Sequence, residues 1–493
     1  MNTINFQPEL RPALPTVFGA KEYREFRATL EEMDRILTVT GIENRFIMRR
    51  INAMDGPLSP KKMQWHYRTL RLGLRYSLLL GITGDSYRKL SCHVADSQLF
   101  QWFTHTSAVD GIRPVSKSTI ERFEKMFPDK EVGELIHTIN RAVGDEAEAK
   151  ELLYRETELR FDEIFADTTC VKANIHFPVD WVLLRDATRT LINTVILIRS
   201  KGIKYRIGVP ADFLKEMNKL CIEMTHVRKK KDAKKKRKRI FRRMKKLMRI
   251  IQSHALNYHR ELAARWSETD WSKVEAQVVL DRMQNILDQL PQAIHQAHER
   301  IIGERRVANK DKILSLYESE LHVLVRGKAG AEVEFGNALY LAEQSEGLIV
   351  DWQFIKDQPP GDNKLVKKSI ERISEEYCLP KSYAADRGFD SPTNQIELEE
   401  LNLVNAICPR SIERLKEKLE DKEFSRLQKR RGQTEARIGI FKNAYLGKPL
   451  RSKGFKNRRV RIEWCILSHN LWKLACMAAQ RKEEIAADLA KAA

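Results

Sequence analysis

The chain has 493 residues, which is too long for one ordinary domain and predicts two to four domains. Its 42% hydrophobic content is enough for real cores, and its seven cysteines include no C-x-x-C pair, which argues against a zinc module or a disulfide framework. Residues 201–260 hold 21 Lys or Arg and 4 Asp or Glu, so this segment supplies +17 of the net charge of +21. A polyanion is therefore the expected partner.

The N-terminus does not combine a basic segment with an apolar run, so we expect no secretory signal. The longest apolar runs, such as Tyr76–Ile82 and Leu191–Ile198, are too short to span a bilayer. Scattered cysteines fit a reducing compartment. The sequence thus predicts a soluble cytoplasmic protein with no membrane partner.

The first 155 residues have helical periodicity throughout. Ser118 and Glu121 have the spacing of a capping box at the start of a helix. Short helices with tight connections are typical of a helix-turn-helix, with the last of them as the reading helix, although an ordinary helical bundle fits the spacing as well. The predicted helices are Glu22–Ile51, Tyr67–Ile82, Ser86–Val94, Asp96–Phe103 and Ser118–Phe127.

The pattern changes after Arg160. Phe161–Cys170 is β-prone and predicts a strand that ends at Asp167, and Trp181–Ser200 then predicts a helix. Arg228–Arg249 holds 15 Lys or Arg in 22 residues and keeps an apolar stripe through its second half. This pattern favours an amphipathic basic helix, paired with Leu256–Ile302 as an antiparallel hairpin, over a solvated helical spacer.

Strands and helices alternate in the remaining part of the chain. Arg410–Arg426 is highly charged, and we expect it to be mobile. The predicted strands are Leu321–Val325, Glu332–Leu341, Gly347–Ile355, Ser382–Ala385 and Leu403–Ile407. The predicted helices are Asn363–Glu376, Thr393–Leu401, Gln428–Lys442 and Ile462–Ala479.

Three acids stand out by position: Asp167 and Asp386 at predicted strand ends, and Glu435 on a late helix. Strand ends and an adjacent helix can bring distant carboxylates together, and hard oxygen ligands suit Mg²⁺ or Mn²⁺. On the late helix, Arg431, Glu435 and Lys442 fall within about 40° of one another, as a metal ligand flanked by phosphate-binding cations would. A solvated face with charge pairs gives the same pattern.

Other acids compete for each of these positions. Composition leaves Asp162 and Asp180 as alternatives to Asp167, Asp390 as an alternative to Asp386, and Glu423 as an alternative to Glu435. The alternatives stay open on residue pattern alone.

Three blocks of the sequence resemble the DDE transposases of bacterial insertion sequences, whose catalytic core is RNase H-like. They are F-A-D-T-T-C-V-K-A-N-I-H-F-P-V-D-W-V-L-L, A-D-R-G-F-D-S-P-T-N and R-R-G-Q-T-E-A-R-I-G-I-F-K, at Phe165–Leu184, Ala385–Asn394 and Arg430–Lys442. The resemblance implies that Asp167, Asp386 and Glu435 are the catalytic, metal-binding acids. Arg431, Glu435 and Lys442 match the spacing of the Y-R-E-K signature, but Gln428 stands where its Tyr would be.

The resemblance implies a fold and an organisation. The fold is α+β or α/β, an RNase H-like mixed sheet with helices, interrupted by a long helical insertion. The implied domains are a helical DNA-binding domain (1–155), the core (156–200 and 311–460), the basic insertion (201–310) and a C-terminal helix (461–493).

The implied activity is transposition: binding of terminal inverted repeats, cleavage of the element ends and joining of the 3′-OH to target DNA. Two Mg²⁺ or Mn²⁺ ions would assist both steps. Arg431, Lys442, Arg387, Lys235 and Arg239 would contact DNA. Pairing of two ends implies a homodimer or a larger synaptic complex, associated with the nucleoid. The alternatives are a catalytically inactive DNA-binding protein derived from a transposase and a stand-alone nuclease.

Overall fold

The computed structural model describes residues 11–54, 56–107, 111, 113–227, 232–328 and 331–492. The chain folds into helices and one mixed sheet, and by internal contacts it divides into two compact units. The first unit comprises the described residues up to Lys172, together with Ala338–Ile355 and those from Pro359 onward; the second comprises Ala173–Asn337 and Lys356–Gln358. This division differs from the predicted domains, because helices, strands and the last helix share the first unit.

The first unit begins with eight described helices, as the sequence predicts for this region. They are α1 (Lys21–Val39), α2 (Ile42–Asn52), α3 (Pro60–Thr83), α4 (Tyr87–Asp96), α5 (Gln98–Thr104), α6 (Lys117–Glu124), α7 (Asp129–Val143) and α8 (Glu146–Leu153). The predicted Glu22–Ile51 helix is two helices, because Gly41 between them adopts φ +60°, a left-handed conformation that ends a helix. The predicted capping box at Ser118 is wrong, since the hydroxyl of Ser116 accepts from Thr119 N and caps α6 instead.

Six strands form an open mixed sheet in the described part of the chain. The strands are β1 (Glu163–Lys172), β2 (His322–Lys328), β3 (Ala331–Glu343), β4 (Ile349–Phe354), β5 (Ser382–Ala385) and β6 (Val404–Ile407). Their order is β2-β3-β1-β5-β6, with β4 also paired to β3. The β2–β3 and β3–β4 pairs are antiparallel, whereas β1–β5 and β5–β6 are parallel. The predicted mixed sheet is therefore confirmed.

The second unit is a bundle of four described helices with a core of its own. They are α9 (Asp180–Ser200), α10 (Pro210–His226), α11 (Ala233–Arg265) and α12 (Lys273–Ile301). The apolar stripe predicted on the basic helix is buried, with Phe241, Met244 and Met248 in the core. The helical pair is confirmed, but its turn lies near Trp266–Ser272, later than predicted, and Arg228–Lys231 of the basic run lie outside the described residues.

The remaining helices belong to the first unit, and they correct one prediction. They are α13 (Val366–Glu376), α14 (Pro392–Glu400), α15 (Ile412–Glu420), α16 (Lys422–Ile440) and α17 (Phe455–Ala492), with a π-helical turn at Phe441–Leu446. The charged segment Arg410–Arg426 is helical rather than irregular, because Ser411 caps α15 and Asp421 caps α16.

The last helix, α17, fills the centre of the first unit. It packs against α1, α3 and α7, and Trp464 and Leu467 are fully buried. At Gly81 of α3 an added Cβ would lie 2.2 Å from the Ser468 hydroxyl oxygen, so only glycine allows this approach. Helices from the two ends of the chain thus form one core. No helix in the described ranges is both long enough and apolar enough to cross a membrane.

Candidate active site

Asp167 lies on β1, and Asp386 directly follows the neighbouring parallel strand β5. The β1–β5 register pairs Ile164 with Tyr383 and Phe165 with Ala384, so continuing it by two residues sets Asp167 opposite Asp386. Asp386 follows β5 with extended backbone angles, so the register is not interrupted before it. Adjacent strands are about 4.8 Å apart. Two carboxylates that are 219 residues apart in the chain are therefore neighbours in the sheet.

The prediction that the first strand ends at Asp167 is wrong. Strand β1 continues to Lys172, because T-T-C-V remains β-prone and three of these four residues are almost fully buried. Asp167 is thus in the middle of a central strand, on the same face as Phe165 and Thr169, since side chains alternate along a strand. This face is the one that α16 covers.

Helix α16 runs along that face of the sheet. Phe424 and Leu427 at its start pack on Phe165, and the Arg430 guanidinium lies 4.5 Å from the centre of the Phe165 ring. At the other end, Lys442 Nζ donates to the Thr169 hydroxyl at 3.0 Å. These two contacts lie on either side of both acids. Asp167 is between Phe165 and Thr169 on the strand, and Glu435 is between Arg430 and Lys442 along the helix, so Glu435 lies near Asp167.

A buried carboxylate on β3 fixes the rotation of α16. Glu343 accepts hydrogen bonds from Arg430 at 3.1 Å, from Thr434 at 2.8 Å and from Arg437 at 3.0 Å. These three donors follow one another at helical spacing and therefore share one side of α16. Sequence reasoning missed Glu343, because its partners lie 87 to 94 residues away along the chain.

Arg431 and Glu435 occupy another side of α16 and contact each other. Arg431 Nη1 donates to Glu435 Oε1 at 3.1 Å, and the Glu435 side chain remains 60% exposed. Arg431 also donates to Gln428, whose side-chain amide donates to the carbonyl oxygens of Ala385 and Ala406 at the ends of β5 and β6. Gln428, which replaces the signature Tyr, thus ties the helix to the strand ends.

The charges of Asp386 and Glu435 both act on Asp167. Burial, the Asp386 charge and the Glu435 charge raise the pKa of Asp167 to about 6, against the opposing effects of the Thr168 N–H and of Arg431. A raised carboxyl pKa means that the ionised form is held in unfavourable surroundings. Such a site is a candidate for function, because a cation would relieve the excess negative charge.

The residues present suit a divalent ion in part. Two adjacent aspartates supply the hard oxygen ligands that Mg²⁺ and Mn²⁺ prefer. Among the residues that the structure describes, no three ligating side chains converge into a ready-made cluster, and the Glu435 carboxylate is bound to Arg431. The aspartates are therefore preset, and Glu435 would complete the site by turning away from Arg431.

The loop after Asp386 is closely packed. Asp386 Oδ1 accepts from Gly388 N at 2.8 Å, and a Cβ added at Gly388 would lie 2.9 Å from a carboxylate oxygen of Asp362. Arg410 donates to the carbonyl oxygens of Arg387 and Gly388. The side chain of Arg387, predicted to support the site or to contact phosphate, is exposed beside Asp386. A side chain at 388 would therefore press on the carboxylates of Asp362 and Asp386.

The competing acids have structural partners. Asp162 is bound by Lys381 at 2.8 Å, and Asp180 by Arg300 at 3.0 Å. Asp390 accepts from Gln395 and from Arg410 N, whereas Glu423 pairs with Arg426 on the surface. These partners explain the competing acids without a catalytic role.

The predicted DNA-contacting residues Lys235 and Arg239 lie on α11 in the second unit. Both are exposed, as are Lys236, Arg242 and Arg249 further along this helix. Cations on one helix, with its apolar side buried, form a fixed positive surface. This surface is suited to a polyanion.

The chain was also compared with known proteins. It matches no family model, no curated protein and no solved structure. Its function must therefore be inferred from its own residues.

Proposed function

We propose that this chain is a DDE-type DNA transposase, which binds terminal inverted repeats, cleaves the element ends and joins the 3′-OH to target DNA. The observation that carries the proposal is the proximity of Asp167, on β1, to Asp386, directly after the adjacent parallel strand β5, and to Glu435 on α16: the charges of both acids act on Asp167. The three blocks of sequence that resemble the family thus come from parts of the chain that meet.

The sheet order supports an RNase H-like core. Strands β4, β3, β1, β5 and β6 are neighbours in that order, with β3–β4 antiparallel and β1–β5–β6 parallel. In such a core the first two acids lie on neighbouring parallel strands, and the third lies on a later helix. Asp167 on β1, Asp386 directly after β5 and Glu435 on α16 are compatible with this arrangement.

Each residue of the site has a part in the proposed chemistry. Two divalent ions would activate the nucleophile, first water and then the 3′-OH, and stabilise the leaving oxygen. Asp167 and Asp386 would hold them, joined by Glu435. Arg431 would exchange Glu435 for a DNA phosphate, and Lys442 would hold a phosphate above the same face of β1. The phosphate contacts would fix register without reading sequence.

The rest of the molecule would supply DNA recognition. The N-terminal helices, with α6 as the reading helix, would recognise the inverted repeats, and the exposed cations of α11 would add salt-sensitive affinity. Because two ends must be brought together, the active form would be a homodimer or a larger synaptic complex.

The decisive experiment is a metal-dependent cleavage and strand-transfer assay on the gene's own flanking DNA. We expect wild-type protein to cleave and join only with Mg²⁺ or Mn²⁺. Asp386→Asn should lower both rates more than about 100-fold, since even residues that only orient the ligands of a metal contribute about 10–100-fold. Asp162→Asn, which removes a carboxylate paired with Lys381, is the matched control and should keep activity.

The same assay separates the alternatives. Cleavage without joining would identify a nuclease, and binding without either reaction would identify an inactive DNA-binding protein. Equal losses in Asp386→Asn and Asp162→Asn would remove the special role of Asp386.

A further inference from the structure

We propose that the second unit contains a DNA-backbone binding cleft at the end of its helical bundle, formed by the starts of α9 and α11 and the segment that follows α12. The cleft has a volume of about 630 Å³. Six cations line it and one carboxylate, Glu304, is among its lining residues; the cations are Lys234, Arg237, Arg300, Arg305, Arg306 and Lys312. Its ligand would be the phosphodiester backbone of duplex DNA.

Three of the six cations have carboxylate partners. Lys234 pairs with Glu304 at 2.9 Å, Arg300 with Asp180 at 3.0 Å and Arg305 with Glu299 at 2.5 Å. These pairs account for the carboxylates at the cleft and leave a net positive charge.

The other three cations are Arg237, Arg306 and Lys312. Within the described ranges none of them forms an ion pair. Lys312 donates to the Asn309 side chain at 2.6 Å, and the buried Nε of Arg237 has no hydrogen-bond partner. A buried donor without a partner is costly, and a ligand that accepts its hydrogen bond removes the cost. Three cations of the cleft thus have no described carboxylate to neutralise them, and an anionic ligand would do so.

The charge pattern of α11 points the same way. Its first turn contains no acid, and the Asp232 side chain does not cap it, yet Lys234, Lys235, Lys236 and Arg237 follow in succession. The N-terminus of a helix carries a positive partial charge, so cations there repel it and destabilise the helix. Residues that locally destabilise a helix in this way are typical of a functional site. An anion bound there would be attracted both by the lysine and arginine side chains and by the helix N-terminus.

The anion should be a polymer of phosphates rather than one small ion. Exposed cations continue along α11 beyond the cleft, at Lys235, Lys236, Arg239, Arg242 and Arg249. One phosphate group would leave this surface unused, whereas a DNA backbone presents phosphates in sequence. The cleft contains none of the three acids of the candidate active site. Its test measures DNA binding alone and does not depend on whether the protein cleaves DNA.

The test measures binding of a labelled random-sequence DNA duplex to the full chain across a salt series. Each neutralised phosphate contributes about −0.9 to the slope of log affinity against log salt. The triple variant Arg237→Gln, Arg306→Gln and Lys312→Gln should therefore flatten the slope by about 2–3. The control variant Arg260→Gln, Lys273→Gln and Arg282→Gln removes the same charge from exposed positions towards the other end of the bundle, and should flatten it by less than about 1.

A second variant guards against misfolding. Arg306→Gln with Lys312→Gln leaves the part-buried Arg237 intact and should flatten the slope by about 2. Equal slopes for cleft and control variants would overturn the proposal, since charge alone would then explain the binding. Binding of inorganic pyrophosphate should be measured as well. If the cleft variants lost pyrophosphate binding but bound DNA as wild type does, the proposal would be overturned in favour of a small-anion site.

Discussion

Among the described residues of the first unit, two carboxyl groups have clearly raised pKa values, and one of them belongs to the candidate site. Burial, with the charges of Asp386 and Glu435, raises the pKa of Asp167 to about 6, and burial raises the pKa of Glu463 on α17 to about 7. A carboxyl group whose pKa is higher in the folded state stabilises the fold below its unfolded pKa. That contribution is lost as pH rises through the folded pKa. Both groups should therefore destabilise the protein at pH 8.

We predict that Asp167→Asn and Glu463→Gln both raise the free energy of unfolding at pH 8, by about 2–3 kcal/mol each, because one pKa unit corresponds to about 1.4 kcal/mol. The gain should shrink towards pH 5, where the wild-type groups are protonated. Only Asp167→Asn should abolish cleavage and the stabilisation of the fold by Mg²⁺. Thermal melts with and without Mg²⁺ at both pH values provide the measurement. If Mg²⁺ stabilised Asp167→Asn as much as wild type, Asp167 would not be a metal ligand.

The same raised pKa predicts the acid limb of the cleavage reaction. Protonated Asp167 lacks the charge that holds a cation, so the cleavage rate should fall as pH drops through about 6. DNA binding, measured at the same pH values, should not fall in parallel. A cleavage rate that stays constant from pH 8 to pH 5 would contradict the assignment.

At the scale of elements, α16 depends on one distant carboxylate. Removing one partner from a buried ion pair leaves the other charge uncompensated and costs about 3 kcal/mol or more. Glu343→Gln should therefore destabilise the first unit by about 3 kcal/mol and slow cleavage, because Glu435 loses its fixed position. Glu423→Gln on the same helix removes an exposed partner of Arg426 and should cost less than about 1 kcal/mol. Comparable melting and cleavage for the two variants would show that Glu343 does not position α16.

The sequence predicted this element in part. The blocks around Asp167, Asp386 and Glu435 and most strand positions could be read from local pattern. The helices within Arg410–Arg426 were missed because charge density outweighed two local signals, the capping residues Ser411 and Asp421. Glu343 could not be found in this way, since nothing in its neighbourhood indicates partners on a helix many residues later. The sequence predicted that Arg431 and Glu435 share one side of the helix. It did not predict which side of α16 faces the sheet, because Glu343 determines that rotation.

At the scale of the molecule, the two units differ in how their cores are assembled. All the buried residues of the bundle core lie between Leu183 and Leu316, in one continuous segment. The N-terminal helices instead share their core with α17, where Trp464 Nε1 donates to Glu124 O and Ser468 donates to Leu78 O. The predicted N-terminal domain is thus incomplete without α17.

We therefore predict that residues 173–337 fold when expressed alone and that residues 1–155 do not. The first fragment should unfold cooperatively with native helical content, whereas the second should expose the apolar surface that α17 covers and show no sharp transition. Circular dichroism during heating measures both. Cooperative unfolding of residues 1–155 would mean that the α17 contacts add little to their stability.

The long separation of Asp167 from Asp386 in the chain also means that one is synthesised well before the other. At about 5–20 residues per second, roughly 10–40 s separate the emergence of these two residues from a ribosome. During that interval β1 has no neighbour at β5, and the bundle between them can already fold. The N-terminal helices wait longer still, until α17 has been made. A nascent chain therefore holds neither the adjacent aspartates nor a complete N-terminal core until both β5 and α17 have been synthesised.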